Sequence, residues 1–194
     1  MPLILETIVT TRNADGSPHL VPFGLIADGA HYVVAPFRPS PTIANLERHP
    51  YLAAATPVDI RVLAGCVTGR RDWATVPCER IACERLADAY AHLELAVAEG
   101  SDDPVRPRFR CRVVHAANHR PAIGDNRARA AVIEAAILST RLHLLPADKV
   151  RAEMAYLAVA VGKTAGPAET EAWGWIEAKI RAALDSDRGK VQIA

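Results

Sequence analysis

Apolar runs broken by polar turns fill the first third of the chain, and apolar and polar positions alternate with a period of two in 89–99 and 108–115. Helical spacing takes over after Pro121. Leu3 to Arg12 carries aliphatic residues and three threonines, which suit a pleated surface. Asn13-Ala14-Asp15-Gly16 breaks that run with turn chemistry, Ser17 to Ala27 resumes it, and Asp28-Gly29 is a strong hairpin signal before His31 to Phe37. These residues predict a three-stranded meander.

Arg38-Pro39-Ser40-Pro41-Thr42 ends the third strand, because successive prolines cannot continue a ladder. Thr42 to His49 reads as a short helix with Ile43 and Leu46 on one side and Pro50 as its stop. Tyr51 to Thr56 predicts a fourth strand. Between Pro57 and Cys83, the run Ile60 to Gly65 fits a helical turn or a strand. In Ala89 to Glu99, Ala91, Leu93, Leu95 and Val97 alternate with His92, Glu94, Ala96 and Ala98. In Arg108 to His115, alternation puts Arg108, Arg110 and Arg112 on one wet face, opposite Phe109, Cys111 and Val113.

Beyond Pro121 three helices are expected: 126–145 with a stripe of Ile133, Ile137, Thr140 and Leu144, a second to about Val161, and a third from Pro167 with Trp173, Ile176, Ile180 and Leu184. Strands first and helices afterwards is the α+β pattern. We divide the chain into residues 1–121 and a helical subdomain, 122–194.

Composition narrows the function. Apolar residues make up 50 % and charged residues 23 %, so the chain can bury a core. Lys+Arg 23 against Asp+Glu 22 leaves +1, which provides no field for nucleic acid or an anionic membrane. The apolar runs fall short of the roughly 20 residues that span a bilayer. The Met-Pro-Leu-Ile-Leu-Glu start lacks a signal-peptide pattern, so a cytoplasmic protein is expected. Cys66, Cys78, Cys83 and Cys111 form no C-x-x-C pair and read as reduced thiols. No metal is expected, and His115 with His119 reads as two polar residues at a strand end. Gly162-Lys163-Thr164 resembles the tail of a phosphate-binding loop, but Leu157 stands where that loop needs glycine. We read Gly162 as a helix C-cap.

Two segments carry more chemistry. In residues 36–46 a strand passes through a polar turn into a helix. Ser40 or Thr42 sits where the first N–H groups point outward, Arg38 stands beside them, and no capping-box glutamate occupies those donors. These are the parts of a phosphate site, or of an ordinary cap beside a surface arginine. In the second strand, Pro22 and Gly24 flank Phe23 and mark an edge, a bulge or a close approach to the backbone.

The runs Glu6 to Thr11, Asp15 to Pro18, Pro22-Phe23-Gly24, Pro36-Phe37-Arg38 and Thr42 with Asn45-Leu46 resemble the FMN-binding split-barrel superfamily. Within it they are similar to the family filed as domain of unknown function 447. The segment from Asn126 to Leu142 resembles that family's helical C-terminal part. The resemblance implies a six-stranded split β-barrel followed by a small C-terminal helical subdomain. It also implies a homodimer with FMN at the interface. It assigns Arg38, Ser40, Thr42 and Asn45 to the phosphate, Pro22, Phe23 and Gly24 to the isoalloxazine ring, and Thr56 to its vicinity. Ala54-Ala55-Thr56-Pro57 departs from the family's pattern there. The implied function is a flavin-dependent oxidoreductase linked to one-carbon metabolism, or a non-catalytic flavin carrier.

Overall fold

The computed structural model describes residues 2–191, with side chains described through residue 186. Its elements are β1 (Ile4–Arg12), β2 (Pro18–Asp28), β3 (His31–Val34), α1 (Pro41–Arg48), β4 (Tyr51–Pro57), α2 (Arg61–Val67), β5 (Thr75–Pro77), β6 (Glu84–Leu86), β7 (Ala89–Gly100), β8 (Phe109–Asn118), α3 (Arg127–Ser139), α4 (Ala147–Thr164) and α5 (Pro167–Val191). They form two compact units, Met1–Val58 with Asp72–Ala122, and Asp59–Arg71 with Ile123–Ala194.

In the first unit six antiparallel strands close into a barrel in the order β1-β2-β3-β8-β7-β4. The predicted meander is there, its turns set by Gly16 at φ 89 and Gly29 at φ 61, conformations that a side chain would strain. One face of each strand points into a shared core of Val9, Leu25, Val34, Leu52, Leu95, Phe109 and Cys111, and α1 adds Ile43 and Leu46 to it. Within the closed barrel, the first part of β2 is paired on one side only. Pro18 to Leu25 pairs with β1 on one side, but β3 joins only from Ile26 onward. Pro22, which has no N–H to donate, sits opposite Ile8 on that half-open stretch.

β5 and β6 make a separate two-stranded ladder, and β6 packs against β1 and β4. In β8 the alternation slips. A register shift opposite Glu94/Leu95 follows Val113, which is 38 % exposed while Phe109 and Cys111 stay buried. Of the predicted arginine face, Arg110 is tied to Asp28 at 2.7 Å and to His31 at 2.9 Å.

The second unit settles one open reading and corrects two expectations. Ile60–Gly65 resolves as α2, whose Val62, Leu63, Ala64 and Cys66 are buried, and α2 packs against α3 and α5. α3 ends at Ser139. It buries the small-residue face of Ala128, Ala131, Val132, Ala135 and Ala136, while Ile133 and Ile137 are half-buried and Leu144 is exposed. Close approach of helix backbones favours the alanine face over the larger isoleucines. Gly162 is not a cap. α4 continues to Thr164, whose hydroxyl accepts the N–H of Ala128 while its carbonyl accepts the Asn126 side chain. The Trp173, Ile176 and Ile180 stripe of α5 is buried as expected.

Candidate functional site

Helix α1 opens without a side-chain cap. Ser40 is its N-cap in extended conformation, Pro41 follows, and the first turn holds no acidic residue. The helix end therefore keeps its positive field with no side chain on it; Pro41 has no N–H, and the Ile43 N–H donates to the Ser40 carbonyl at 3.1 Å. Thr42 is fully buried there, and its hydroxyl has no hydrogen-bond partner. Only three other buried side-chain atoms share that state among the described residues: Thr10 Oγ1, Arg85 Nε and His115 Nε2. Arg38 is held loosely, 3.5 Å from Asp102 Oδ1 and 3.9 Å from Glu47 on α1 itself. Asn45 is committed elsewhere. Its amide donates to Thr11 Oγ1 and Asn13 Oδ1, both at 3.0 Å, and its oxygen accepts Arg48 at 2.8 Å. It ties α1 to β1 and to the first turn.

The second group lies across β2, β1 and β4. Phe23 pairs with Thr7, whose hydroxyl donates to the Phe23 carbonyl at 3.0 Å. Thr7 and Thr56 both line a cavity of about 430 Å³, with Ile4, Leu5, Leu25 and Asn118 among its other walls. Gly24 is required by its own chain, because a Cβ there would come within 2.6 Å of Ile4 Cγ2 and 3.4 Å of Glu6 Oε1. The rim is apolar and unsheltered, with Ile4 at 50 % and Leu5 at 39 % exposure.

The family model described as the N-terminal domain of the protein of unknown function DUF447 matches residues 5–120, and a second DUF447 model matches residues 126–178. The chain belongs to the DUF447 family. No match is found among curated proteins. An FMN-bound DUF447 protein from Methanosarcina mazei is similar over 92 % of this chain and 96 % of that one, at 20 % identity and a TM-score of 0.77. A 2-nitrobenzoate 2-nitroreductase from Pseudomonas fluorescens matches 61 % of this chain and 66 % of its own, at 17 % identity and 0.52. Flavoredoxin from Methanosarcina acetivorans matches 63 % and 75 %, at 16 % identity and 0.51. The six-stranded barrel with C-terminal helices is thus the split-barrel fold of these proteins.

This DUF447 barrel also holds a buried polar cluster that reading the sequence missed. Glu94 is fully buried on the outer side of β7. Its carboxylate accepts the backbone N–H groups of Glu79, Arg80 and Ile81 at 2.5, 2.7 and 3.1 Å. His92, 1 % exposed, places Nε2 3.3 Å from Glu94 Oε1 and Nδ1 2.9 Å from Nε2 of His119. Burial works to raise the Glu94 pKa, but the Glu79 and Arg80 N–H groups and His92 outweigh it and hold the carboxyl below its ordinary value. Burial pushes His92 down, against the pull of Glu94 and with the help of nearby Arg85. The available signal was the two-residue spacing of His92 and Glu94, which puts both on one face of a strand. What buries that face is the loop at 79–81, and nothing in its local sequence announces it.

Proposed function

We propose that this protein binds FMN and acts in the cytoplasm, as a homodimer, as a flavin-dependent oxidoreductase, which the family resemblance links to one-carbon metabolism. The observation that carries the reading is the buried, unpartnered hydroxyl of Thr42 at the uncapped start of α1, beside a loosely held Arg38. A phosphate dianion is what such a group of donors fits, since a buried hydroxyl without a partner is costly and a helix N-terminus favours negative charge. Arg38, Ser40 and Thr42 hold the phosphate in this reading. Asn45 fixes the angle at which α1 meets β1. Pro22, Phe23 and Gly24, on the half-open stretch of β2, and Thr56 on the cavity wall border the ring.

Bound FMN supplies hydride or electron transfer, and the protein supplies placement and the exclusion of water. The fold shared with the FMN-bound Methanosarcina mazei protein supports the cofactor, and that with the nitroreductase supports the reaction class. The exposed Ile4 and Leu5 on the rim support a second copy as its cover.

The test is a comparison of two ligands. Charge-assisted hydrogen bonds contribute roughly 1.5–3 kcal/mol each. Arg38→Ala with Thr42→Ala is therefore expected to weaken FMN at least about 100-fold while leaving riboflavin, which has no phosphate, nearly unchanged. Unchanged FMN affinity, or equal loss of both flavins, rejects the phosphate site. Flavin that no nicotinamide donor reduces would favour a carrier over an enzyme.

A further inference from the structure

A second cavity, of about 650 Å³, is walled by Thr56, Tyr90, Asn118, His119 and Arg120 among others. From its wall a line of hydrogen bonds runs inward to a buried charge. The ionised Glu94 has no proton to give, so Nε2 of His92 is the donor between them. His92 is uncharged when buried this way. Its Nδ1 is then the acceptor, and Nε2–H of His119 is the donor to it. The two rings lie nearly parallel, 8° apart, with centroids separated by 5.0 Å. His119 is exposed, and its Nδ1 has no hydrogen-bond partner among the described residues.

We propose that Glu94, His92 and His119 form a proton relay in which Nδ1 of His119 is the general base toward the hydroxyl of a small phenol- or enol-like compound seated in this cavity. The ligand O–H bond breaks, the Nδ1–H bond forms, and the products are the His119 imidazolium and the ligand oxyanion. The reverse step returns the proton. Through Nε2–H the imidazolium faces the lone pair of His92, whose own proton faces Glu94, so the carboxylate charge stabilises it across the intervening ring. Other charged and titratable groups around the relay are Arg85 on β6, Cys78 and Glu79 before and in the covering loop, and His115 on β8. Arg120, 2.9 Å from Asp88, is a cation in the wall of the cavity. The inference does not rest on the flavin reading.

The same residues could be read as a metal site, since His92, Glu94 and His115 each offer a ligand atom within 4.8 Å of the others. The hydrogen bonds decide against it. Three backbone N–H groups and His92 fill the roughly four acceptor directions of the carboxylate, and donors that converge in this way suit an anion rather than a neighbouring cation. His115 Nε2, which makes no hydrogen bond, lies 3.2 Å from Glu79 Oε2.

Two readouts on the full chain test the relay without using flavin activity. Histidine ¹⁵N NMR is expected to show His92 as the neutral Nε2–H tautomer at pH 8, with its Nδ1 resonance moving toward a free imine in His119→Ala. Binding of 4-nitrophenol, followed by phenolate absorbance, is expected to give a several-fold larger ionised fraction on the protein than free in solution at the same pH. His119→Ala and His92→Phe abolish that excess, while His115→Ala retains it. His92 carrying its proton on Nδ1 overturns the relay, as does 4-nitrophenol that fails to bind or binds with unchanged ionisation. One equivalent of zinc that shifts His92 and His115 together would overturn it in favour of a metal site.

Discussion

Thr42, Glu94 and Cys111 are three buried polar groups in one barrel, and each is buried on different terms. The Thr42 hydroxyl has no partner, so in the flavin-free protein it costs about 1–3 kcal/mol of desolvation. Thr42→Val removes that cost at nearly the same volume. It should leave the melting temperature of the flavin-free protein unchanged or a few degrees higher while weakening FMN, and a clear drop in that melting temperature would show that the hydroxyl has a partner. Glu94 is fully satisfied, so Glu94→Ala strands three N–H groups and His92. The expected loss is about 3 kcal/mol or more, measurable by urea unfolding. Both His92 and Glu94 have folded-state pKa values lowered from the ordinary 6.5 and 4.5, so both contribute stability that is present above those values. As pH falls, the His92 share is lost first, below 6.5, and the Glu94 share below 4.5. Melting curves should show wild type losing stability from about pH 6.5 downward, with His92→Gln flattening the upper part of that slope. Cys111 is fully buried, and burial pushes its thiol up to about 12. It should resist a thiol reagent at pH 8 until the barrel unfolds, and rapid modification in the folded protein would contradict its burial.

Among the elements, α2 carries the clearest consequence. It belongs to the unit formed by the C-terminal helices, and its Val62, Leu63 and Cys66 are buried against them. Ending the chain at Pro121 therefore removes α3 and α5 but leaves α2 behind with that face bare. The truncated protein should be less soluble and bind more hydrophobic dye, whereas deleting 59–71 as well should reverse part of the loss. A truncation as soluble as the full chain would mean that α2 finds other cover. At this scale the six barrel strands, the short helix α1 and the α5 stripe were legible in the sequence, because apolar runs, period two, period 3.6, proline and turn glycines act within a few residues, whereas β5 and β6 were not. α2 and the alanine face of α3 were not. A seven-residue apolar run fits either period, and which face of a helix is buried depends on what packs against it.

For the barrel unit as a whole, the half-open β2 and the apolar rim of Ile4 and Leu5 are the features that call for a partner. Light scattering should give twice the chain mass. Leu5→Asp should shift the protein toward monomer and weaken FMN in parallel. Dimer loss without any effect on flavin would place the cofactor away from the interface. The sequence by itself determined the order of the barrel strands and of the C-terminal helices, the tight turns and the uncapped start of α1, since each depends on contiguous residues. Tertiary structure alone decided that Thr42 is sealed from water and that Asn45 is tied to the first turn. It also decided that a loop fifteen residues away covers Glu94, and that His119 reaches His92 across two strands. Burial and hydrogen-bond partnership are set by segments distant in the chain, and local pattern carries no record of which segment closes over which face.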